Sequence, residues 1–488
     1  MKLMYINGQF TKGHAKEEIE VTNPATEERL DTVPRGTIED VESAVSSGKE
    51  AFKFWRKMGT NERTSLLHEV ASKVRSHREE IVHLLTLEEG KPIPENDEEL
   101  EWVANTFDYY AELGRHDRGR VIPPGESSQF NFILKEPYGV VGCIVPWNYP
   151  LLLMAWKVAP ALAAGNTVII KPSEMTPLTA LYMAEHCFDN LPAGVLNVIT
   201  GFGTETGEPL VKHPDVPVIA FTGSLATGQR IASNAAPMMK KLHLELGGKD
   251  ATVIAEDADP ELAAKAVAYA ALINAGQVCT STERVYIPKS KAKQFTEAIV
   301  EHVKSLRLGS GLEPSTDVGP MIGDSYRTKF ESHVEDARVR GAKVLTGGQR
   351  PKDFAKGWFY EPTVLTGVDH TMLIMREETF GPAVPLMEYT AFEEAINLVN
   401  DSQYGLGAVL LSEDPKKIKT FFEDVKAGTI WINDPLTDNY AGPFGGMKYS
   451  GGARELGIEG LDEFRETKHV HWDFNIEDKS YWYPYGRG

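Results

Sequence analysis

Four short apolar runs decide the fold of this chain: GVVGCIVPW (139–147), NTVIIKP (166–172), VLNVITG (195–201) and PVIAFTG (217–223). Each run has the length of one buried strand, and helix-like segments of about ten to fifteen residues separate them. Strands that alternate with helices predict βαβ units, and therefore a parallel, doubly wound sheet. The run KLHLELGG (241–248) closes this first series.

A second alternating series follows the first. It begins with DATVIAED (250–257) and ends with AGTIWIN (427–433), and strand-like runs again alternate with helical segments. We therefore expect a domain boundary near Gly247–Lys249, where a glycine pair separates two α/β halves. The first hundred residues are predicted to form a short strand pair, MYINGQF (4–10), followed by charged helices.

These patterns predict two α/β halves. The segment from Asp117 to Lys135 and the tail after Lys468 fit neither series, and both could be sheet-forming arms that reach out of the main body.

Composition places the chain among ordinary globular proteins. It has 488 residues, 42% of them hydrophobic, and a formal net charge of −19. This acidity argues against nucleic acid and anionic membranes as partners. The longest apolar stretch, from Leu151 to Gly165, contains Lys157 and Pro160 and is too short to cross a bilayer. Three cysteines and no signal-peptide pattern predict a cytoplasmic protein.

Two loops are candidates for binding a dinucleotide. Phe221–Ser224 lies between a strand and a helix, so that the free N–H groups of the helix could face a pyrophosphate. Lys171 and Glu174 follow another strand, where a carboxylate could bind a ribose diol. An ordinary strand-to-helix turn and a solvated Lys–Glu turn remain open as alternatives, because neither loop has the GxGxxG pattern.

Two further residues are candidates for catalysis. Cys279 lies on a loop after a glycine, whereas Cys143 and Cys187 lie within apolar strand and helix patterns that favour burial. Glu245 lies among apolar neighbours at the end of a strand, where partial desolvation suits a general base. A structural glutamate and an unreactive cysteine are the alternatives. The thirteen histidines form no HExxH motif and no CxxC is present, so no metal is expected.

Over nearly its whole length the chain resembles the aldehyde dehydrogenase superfamily. The resemblance rests on eight ordered motifs: VPWNYP, KPSE, FTGSLATG, LELGGK, GQVC, EETFGP, PFGGMKYSG and ARELGIEG. It implies an α/β fold with a Rossmann-like dinucleotide-binding domain, an α/β catalytic domain and a small β oligomerisation arm. The implied ranges are 1–118 and 138–247 for the dinucleotide-binding domain, 248–449 for the catalytic domain, 119–137 with 465–488 for the arm and the C-terminal tail, and 450–464 for a return to the first domain. It also implies NAD-dependent oxidation of an aldehyde to the acid, with NADP accepted more weakly.

The resemblance assigns roles to matching residues. Cys279 would attack the aldehyde, Asn148 would stabilise the oxyanion, and Glu245 would activate the water that hydrolyses the thioester. Lys157 and Glu455 would relay protons. The implied cofactor-binding residues are Val145, Pro146, Trp147, Lys171, Ser173, Glu174, Gly203, Phe221, Thr222, Gly223, Ser224, Thr227, Gly228, Leu246, Glu378 and Phe380. The implied substrate pocket consists of Tyr149, Leu153, Trp156, Val278, Thr280, Asp438 and Phe444.

Asp438 departs from the family pattern, because broad-substrate members commonly have an aromatic residue there. An acidic group among aromatic rings favours an aminoaldehyde or a quaternary ammonium aldehyde such as betaine aldehyde. The same ring wall would suit an aromatic or polyene aldehyde. Members of this family form homodimers or homotetramers, so self-association through the arm is expected.

The sequence also bears on two rival functions. A CoA-acylating enzyme of the same fold typically lacks the base, but Glu245 is present. A catalytically inactive structural or ligand-binding relative would be expected to lack Cys279, Asn148 or Glu245, and all three are present.

Overall fold

A computed structural model describes residues 1–116 and 119–485. The predicted arm begins beside residues 117–118, and the tail ends in residues 486–488; both of these short segments lie outside the described residues. The first elements are two hairpins and four helices: β1 (Met4–Ile6), β2 (Gln9–Thr11), β3 (Glu18–Thr22), β4 (Arg29–Pro34), α1 (Ile38–Trp55), α2 (Thr60–Ser76), α3 (Arg78–Glu89) and α4 (Ile93–His116).

The next elements contain all four runs that decide the fold. They are β5 (Gly119–Ile122), β6 (Gln129–Pro137), β7 (Val140–Ile144), α5 (Pro150–Ala164), β8 (Thr167–Lys171), α6 (Leu178–His186), β9 (Leu196–Val198), α7 (Glu208–Lys212), β10 (Val218–Thr222), α8 (Leu225–Ala235) and β11 (Lys241–Glu245).

The second half of the chain continues the alternation. Its elements are β12 (Asp250–Ile254), α9 (Pro260–Leu272), β13 (Thr282–Pro288), α10 (Ala292–Ser305), α11 (Asp324–Val339), β14 (Lys343–Thr346), β15 (Thr363–Thr366), α12 (Leu373–Arg376), β16 (Ala383–Tyr389), α13 (Phe392–Asn400), β17 (Tyr404–Gly405), β18 (Gly407–Leu411), α14 (Pro415–Asp424), β19 (Thr429–Ile432), β20 (Met447–Lys448), α15 (Gly457–Asp462) and β21 (Arg465–Asp473).

The first large sheet has the strand order β11-β10-β7-β8-β9-β1-β2. The strands from β11 to β9 are parallel, and β1 pairs antiparallel with β9. After β7 the chain builds outward through β8 and β9, then returns to place β10 on the other side of β7. Such a reversal opens a crevice at the carboxyl ends of the strands, which is where open α/β sheets bind ligands.

The second large sheet has the order β14-β15-β16-β13-β12-β18-β19 and is parallel except for β14. Its central strands β12, β13 and β18 are buried along their whole lengths. Burial of both faces explains why these strands read as continuous apolar runs rather than as an alternating pattern. The predicted α/β class with two largely parallel sheets is thus confirmed.

The arm is a separate three-stranded antiparallel sheet in the order β21-β6-β5. Strand β6 pairs along nine positions with β21, from Arg465 opposite Pro137 to Asp473 opposite Gln129. Several large apolar side chains of this sheet are exposed, including Val121, Trp472 and Phe474. These apolar groups face solvent in a single protomer.

The run of aromatic residues in the tail beyond the arm predicts that the tail packs on its own protomer or on a neighbouring subunit. Within the described part of the chain it does not pack closely on its own protomer: Tyr481 is 67% exposed and Tyr483 is 83% exposed. Tyr483 contacts Tyr485, with ring centroids 4.6 Å apart. Among the described residues, no helix is both long and apolar enough to cross a membrane.

Candidate active site

Cys279 lies on the loop that joins α9 to β13. Before it the backbone turns sharply, with positive φ at Asn274, Ala275 and Gly276. A Cβ on Gly276 would lie 2.2 Å from the carbonyl oxygen of Gly381, so only glycine fits there. Burial, and then the charge of Glu245, raises the pKa of the Cys279 thiol well above its usual value. A thiol with a raised pKa is protonated near neutral pH and must lose its proton before it can act as a nucleophile.

Asn148 lies next to this loop, just before α5. Its side-chain amide donates to the carbonyl oxygen of Gln277 at 3.0 Å. In return, the amide of Asn274 donates to the carbonyl oxygen of Asn148 at 2.9 Å. The amide expected to stabilise an oxyanion is thus tied to the loop that carries the nucleophile.

A buried ionic cluster lies beside Asn148 and the start of α5. Lys91 forms ion pairs with Glu89 and Glu99, and all three side chains are fully buried. One oxygen of Glu99 accepts hydrogen bonds from the backbone N–H groups of Leu151 and Leu152, at 3.1 and 3.0 Å. Because these groups open α5, a carboxylate there stabilises the start of the helix beside Asn148. No motif in the sequence had pointed to this cluster.

Glu245 is the last residue of β11 and is buried. Its Oε1 atom has no hydrogen-bond partner among the described residues. Burial, and then the nearby charge of Glu455, raises the pKa of Glu245 well above its usual value. A carboxyl with a raised pKa can take a proton from water near neutral pH, as a general base requires.

Lys157 and Glu455 form a fully buried ion pair, although 298 residues separate them in sequence. The Lys157 ammonium also donates to Thr222 Oγ1 at 2.6 Å. Glu455 lies in the segment predicted to return to the first domain, where α15 packs on α5. The structure therefore brings the two residues predicted as a proton relay into contact.

The predicted cofactor residues cluster along the crevice of the first sheet. Most of them end, or directly follow, β7, β8, β10 and β11: Val145, Pro146, Trp147, Lys171, Ser173, Glu174, Phe221, Thr222, Gly223, Ser224 and Leu246. Ser224 caps α8, where its hydroxyl accepts from the N–H of Thr227 at 3.4 Å. A Cβ on Gly228 would lie 2.5 Å from the end of the Leu246 side chain, so a larger residue there would require that side chain to shift.

A cavity of about 540 Å³ lies on one side of α8 and is lined by Glu174, Gly203 and Thr227. The Lys171 ammonium lies 3.8 Å from Glu174 Oε2 and donates to the carbonyl oxygen of Pro172 at 2.7 Å. A carboxylate with a neighbouring ammonium at the rim suits the hydroxyls of an adenosine ribose. Arg35, which the sequence did not indicate, lines the same cavity.

A second cavity, of about 740 Å³, lies on the other side and is lined by Ser224, Lys329 and Glu378. Glu378 Oε1 accepts from the N–H of Gly248 at 3.1 Å, and burial raises the pKa of Glu378 to about 7. A Cβ on Gly247 would lie 2.4 Å from the same carboxylate. Cavities on both sides of a helix N-terminus, each with a carboxylate, fit the two riboses and the pyrophosphate of a dinucleotide.

Phe380 closes this side of the crevice. Its backbone has a φ of 55°, and its ring meets Trp147 edge to face, with centroids 5.4 Å apart. The turn is held by Glu283, whose carboxylate accepts from the N–H groups of Thr379 and Phe380 and pairs with Lys249. Nothing in the sequence had marked Glu283 as a support for this turn.

A cavity of about 100 Å³ reaches Cys279 and Asn148. All seven residues predicted for the substrate pocket line it: Tyr149, Leu153, Trp156, Val278, Thr280, Asp438 and Phe444. The structure adds Glu95, Glu98, Glu99, Trp102, Leu152, Tyr269, Ile273 and Leu436. Most of these lie on α4, α5 and α9, outside any motif, so only the packing of the helices reveals them.

The walls of this cavity are aromatic and acidic. The Lys91 ammonium lies 3.7 Å from the ring centroid of Tyr149. Burial raises the pKa of Asp438 to about 7. Burial also raises the pKa of Glu95 to about 7, although the hydrogen bond that its carboxylate accepts from the N–H of Asn274 acts in the opposite direction.

The chain is similar to known proteins over most of its length. Residues 10–470 match the model of the aldehyde dehydrogenase family. The chain is 40% identical over 476 residues to betaine aldehyde dehydrogenase 1 of Oryza sativa subsp. japonica, covering 96% of this chain and 94% of that protein. It is 40% identical over 490 residues to the peroxisomal aminoaldehyde dehydrogenase 2 of Pisum sativum, covering 99% and 97%.

A solved structure is similarly close. The betaine aldehyde dehydrogenase of Staphylococcus aureus in complex with NAD+ superposes with a TM-score of 0.96 at 38% identity, covering 99% of this chain and 96% of that one.

Proposed function

Because the chain belongs to the aldehyde dehydrogenase family, we propose that its substrate is an aldehyde whose far end carries a positive charge, of the aminoaldehyde or betaine-aldehyde class. The protein is an oxidoreductase that converts an aldehyde to a carboxylic acid with NAD(P). The carboxylates that share one cavity with Cys279 carry the proposal on substrate class.

The roles of the catalytic residues follow from their surroundings. Cys279 first loses its thiol proton to solvent, and the resulting Sγ thiolate bonds to the aldehyde carbon, while the amide of Asn148 and the backbone N–H of Cys279 donate to the oxygen that becomes negative. When bound, NAD supplies the acceptor for the hydride that the thiohemiacetal carbon loses, which leaves a thioester on the sulfur. Glu245 then takes a proton from water, the water oxygen bonds to the acyl carbon, and the C–S bond breaks with its electron pair returning to sulfur.

The residues along the crevice would hold NAD. Glu174 and Lys171 would bind the adenosine ribose, the N-terminus of α8 with Ser224 the pyrophosphate, and Glu378 the other ribose. Trp147 and Phe380 would flank the nicotinamide end of the cofactor.

The acidic and aromatic lining supports a cationic substrate. Glu98 is exposed at the cavity, and Asp438 is half-buried. Trp102 and Trp156 supply ring faces to which a quaternary or primary ammonium is attracted. The rice and pea relatives named above, which act on betaine aldehyde or aminoaldehydes by name, support the same class.

A pair of isosteric substrates tests this proposal. Betaine aldehyde and 3,3-dimethylbutanal have nearly the same shape, but only the first is charged. We expect the ratio of their kcat/KM values to fall about tenfold or more in Glu98→Gln or Asp438→Asn. The two aldehydes differ in hydration, but this difference is the same for every variant. It therefore cancels when their kcat/KM ratio is compared between variants.

Glu101→Gln is the matched control, because Glu101 also lies on α4 but pairs with Arg78 and does not line the cavity. Since the pKa of Asp438 is about 7, its charge develops as pH rises. Preference for the charged substrate should therefore grow between pH 6 and pH 8. An unchanged ratio in both variants would reject a cationic substrate.

The chain would form homodimers or homotetramers through the arm, because the outer edge of β21 is unpaired within the described protomer. Residues 1–118 with 138–247 would bind the cofactor, and residues 248–449 would carry catalysis. All three cysteines are free, which suits a reducing compartment such as the cytoplasm.

A further inference from the structure

Glu283 is a buried carboxylate that no step of the proposed reaction uses. It is the second residue of β13, four residues after Cys279, and its side chain is 5% exposed. One oxygen, Oε1, accepts from the backbone N–H groups of Thr379 at 2.9 Å and Phe380 at 2.6 Å. The other, Oε2, also accepts from the N–H of Thr379, at 2.8 Å, and from the Lys249 ammonium at 2.7 Å.

The ion pair of Glu283 with Lys249 is enclosed by the protein. The Lys249 side chain is fully buried, and its ammonium also donates to Thr379 Oγ1 at 2.9 Å. A carboxylate away from water requires an opposite charge and hydrogen-bond donors. Lys249 supplies the charge and the backbone turn at residues 378–380 supplies the donors, so the carboxylate and the turn stabilise each other.

The 378–380 turn carries two residues of the cavity on the Glu378 side of α8. Glu378 lines that cavity, and the ring of Phe380 meets Trp147. The φ of 55° at Phe380 lies in the left-handed region, which is unfavourable for a bulky residue and persists only where the surroundings impose it. The hydrogen bonds to Glu283 from the N–H groups of Thr379 and Phe380 provide such a restraint.

The 378–380 turn also adjoins the loop of the nucleophile. A Cβ on Gly276 would lie 2.2 Å from the carbonyl oxygen of Gly381, so the two backbones are in contact there. Glu283 adds a second connection, because it follows Cys279 closely in the chain and bonds to the turn. The separation between Cys279 and the turn is therefore fixed at two points.

We infer that Glu283, paired with Lys249, is a positioning residue for hydride transfer. It holds the 378–380 turn at a fixed distance from Cys279, and thereby controls how tightly and in which position the nicotinamide half of NAD is held. The inference rests on the proposed roles of Cys279, Glu378 and Phe380. Reaction rates fall steeply when the reacting groups are displaced, even by a change far from the chemistry.

The steps that do not involve the cofactor should be independent of Glu283. Attack by Cys279 on a carbonyl carbon uses the amide of Asn148, and hydrolysis of the thioester uses Glu245 on β11. Among the described residues, neither of these side chains forms a hydrogen bond to the 378–380 turn. Loss of Glu283 should therefore separate the cofactor-dependent steps from the others.

Two variants of different severity test this separation. Glu283→Met keeps the length of the side chain but removes both acceptors, which leaves the turn N–H groups and Lys249 without this partner. We expect the Kd for NAD, measured by calorimetry, to rise about fivefold or more. The rate of the NADH burst should fall about tenfold or more. Glu283→Gln retains one oxygen and should lie between this variant and the unmodified protein.

Hydrolysis of p-nitrophenyl acetate without NAD provides the second measurement. The ester acylates the Cys279 thiolate with release of p-nitrophenolate, and water then hydrolyses the thioester, so no cofactor is needed. This rate should stay within about twofold of the unmodified value in both Glu283 variants. A general loss of structure would lower it together with NAD affinity.

Asp257→Asn is the matched control. Asp257 likewise accepts from two successive backbone N–H groups, those of Glu413 and Asp414, and pairs with Lys417 at 3.1 Å. It lines neither of the cavities beside α8 nor the cavity at Cys279. Its replacement should leave NAD affinity, burst rate and ester hydrolysis unchanged.

Unchanged NAD affinity and burst rate in both Glu283 variants would overturn the inference, as would a fall in ester hydrolysis equal to the fall in burst rate. Glu283→Gln decides the question alone if Glu283→Met does not fold. Failure of the proposed function gives a different result. In that case the unmodified protein would form no NADH with any aldehyde, whereas the calorimetric comparison of NAD affinity would still test the role of Glu283.

Discussion

The side-chain amide of Asn148 donates to the carbonyl oxygen of Gln277 across 3.0 Å, two residues before Cys279 in the chain. This bond joins the start of α5 in the first half of the molecule to the nucleophile loop in the second half. The proposed oxyanion donor and the proposed nucleophile therefore keep a fixed relative position, which catalysis by preorganised donors requires.

Cys279→Ser should lower dehydrogenase turnover by at least about a thousandfold, because an alcohol is a far poorer nucleophile than a thiolate at pH 7. Steady-state NADH formation measures the loss. Cys143→Ser and Cys187→Ser are the controls, since both thiols are buried and have pKa values raised to about 12. Inactivation by alkylation of Cys143 would contradict the assignment.

The reaction of Cys279 with iodoacetamide should accelerate with pH. Burial and the charge of Glu245 raise the pKa of this thiol, so the reactive thiolate is a small fraction at pH 7 and grows as pH rises. We expect the alkylation rate of the unliganded enzyme to rise about tenfold per pH unit from pH 6.5 to pH 8.5. Mass spectrometry of the labelled peptide measures the alkylation rate. A rate that reached a plateau near pH 7 would show that the thiolate is already formed there.

Glu245→Gln should slow hydrolysis of the thioester more than its formation. Rapid mixing should then show a burst of about one equivalent of NADH per site, followed by a slow steady rate. The amide keeps the size of the carboxyl but cannot accept the proton of the attacking water. If burst and steady phases fell together, Glu245 would act before the thioester or only in the structure.

Glu174 should make NAD the preferred cofactor. Its carboxylate can accept from both ribose hydroxyls, whereas a 2′-phosphate about 4 Å away would be repelled by about 4 kcal/mol at an effective dielectric of 20. This repulsion energy is reduced by the Lys171 ammonium, 3.8 Å from Glu174, and by solvent, because Glu174 is partly exposed. We expect a preference of about tenfold or more in kcat/KM, or roughly 1.4 kcal/mol.

Glu174→Gln should narrow the preference, chiefly by improving NADP binding. Kinetics with each cofactor at saturating aldehyde provide the measurement. An unmodified enzyme that used both cofactors equally, or preferred NADP, would show that Glu174 does not set the choice.

Truncation after Lys479 should weaken self-association or lower the melting temperature. The removed rings of Tyr481 and Tyr483 are mostly exposed on one protomer, so a partner subunit is the surface that would cover them. Light scattering and thermal melting measure the effect. Truncation after Tyr485 is the control, and equal size and melting of both truncated forms and the full chain would reject the idea.

The sequence by itself determined the fold class and the chemistry expected of the site. Apolar runs such as 166–172 and 217–223 are local signals, because a strand buried on both faces must be apolar along its length. The cap at Ser224 and the position of Cys279 on a loop after a glycine are also local signals, because each depends on a few consecutive residues.

Only the tertiary structure decided which distant residues meet. The pairing of Lys157 with Glu455, the approach of His243 to that pair, and the contribution of Glu98 on α4 to the cavity arise from packing between segments far apart in sequence. Composition and periodicity show which face of an element is buried, but not which element covers it. Buried charges such as Lys91 are stable only because such packing brings their partners into contact, and no local pattern encodes that contact.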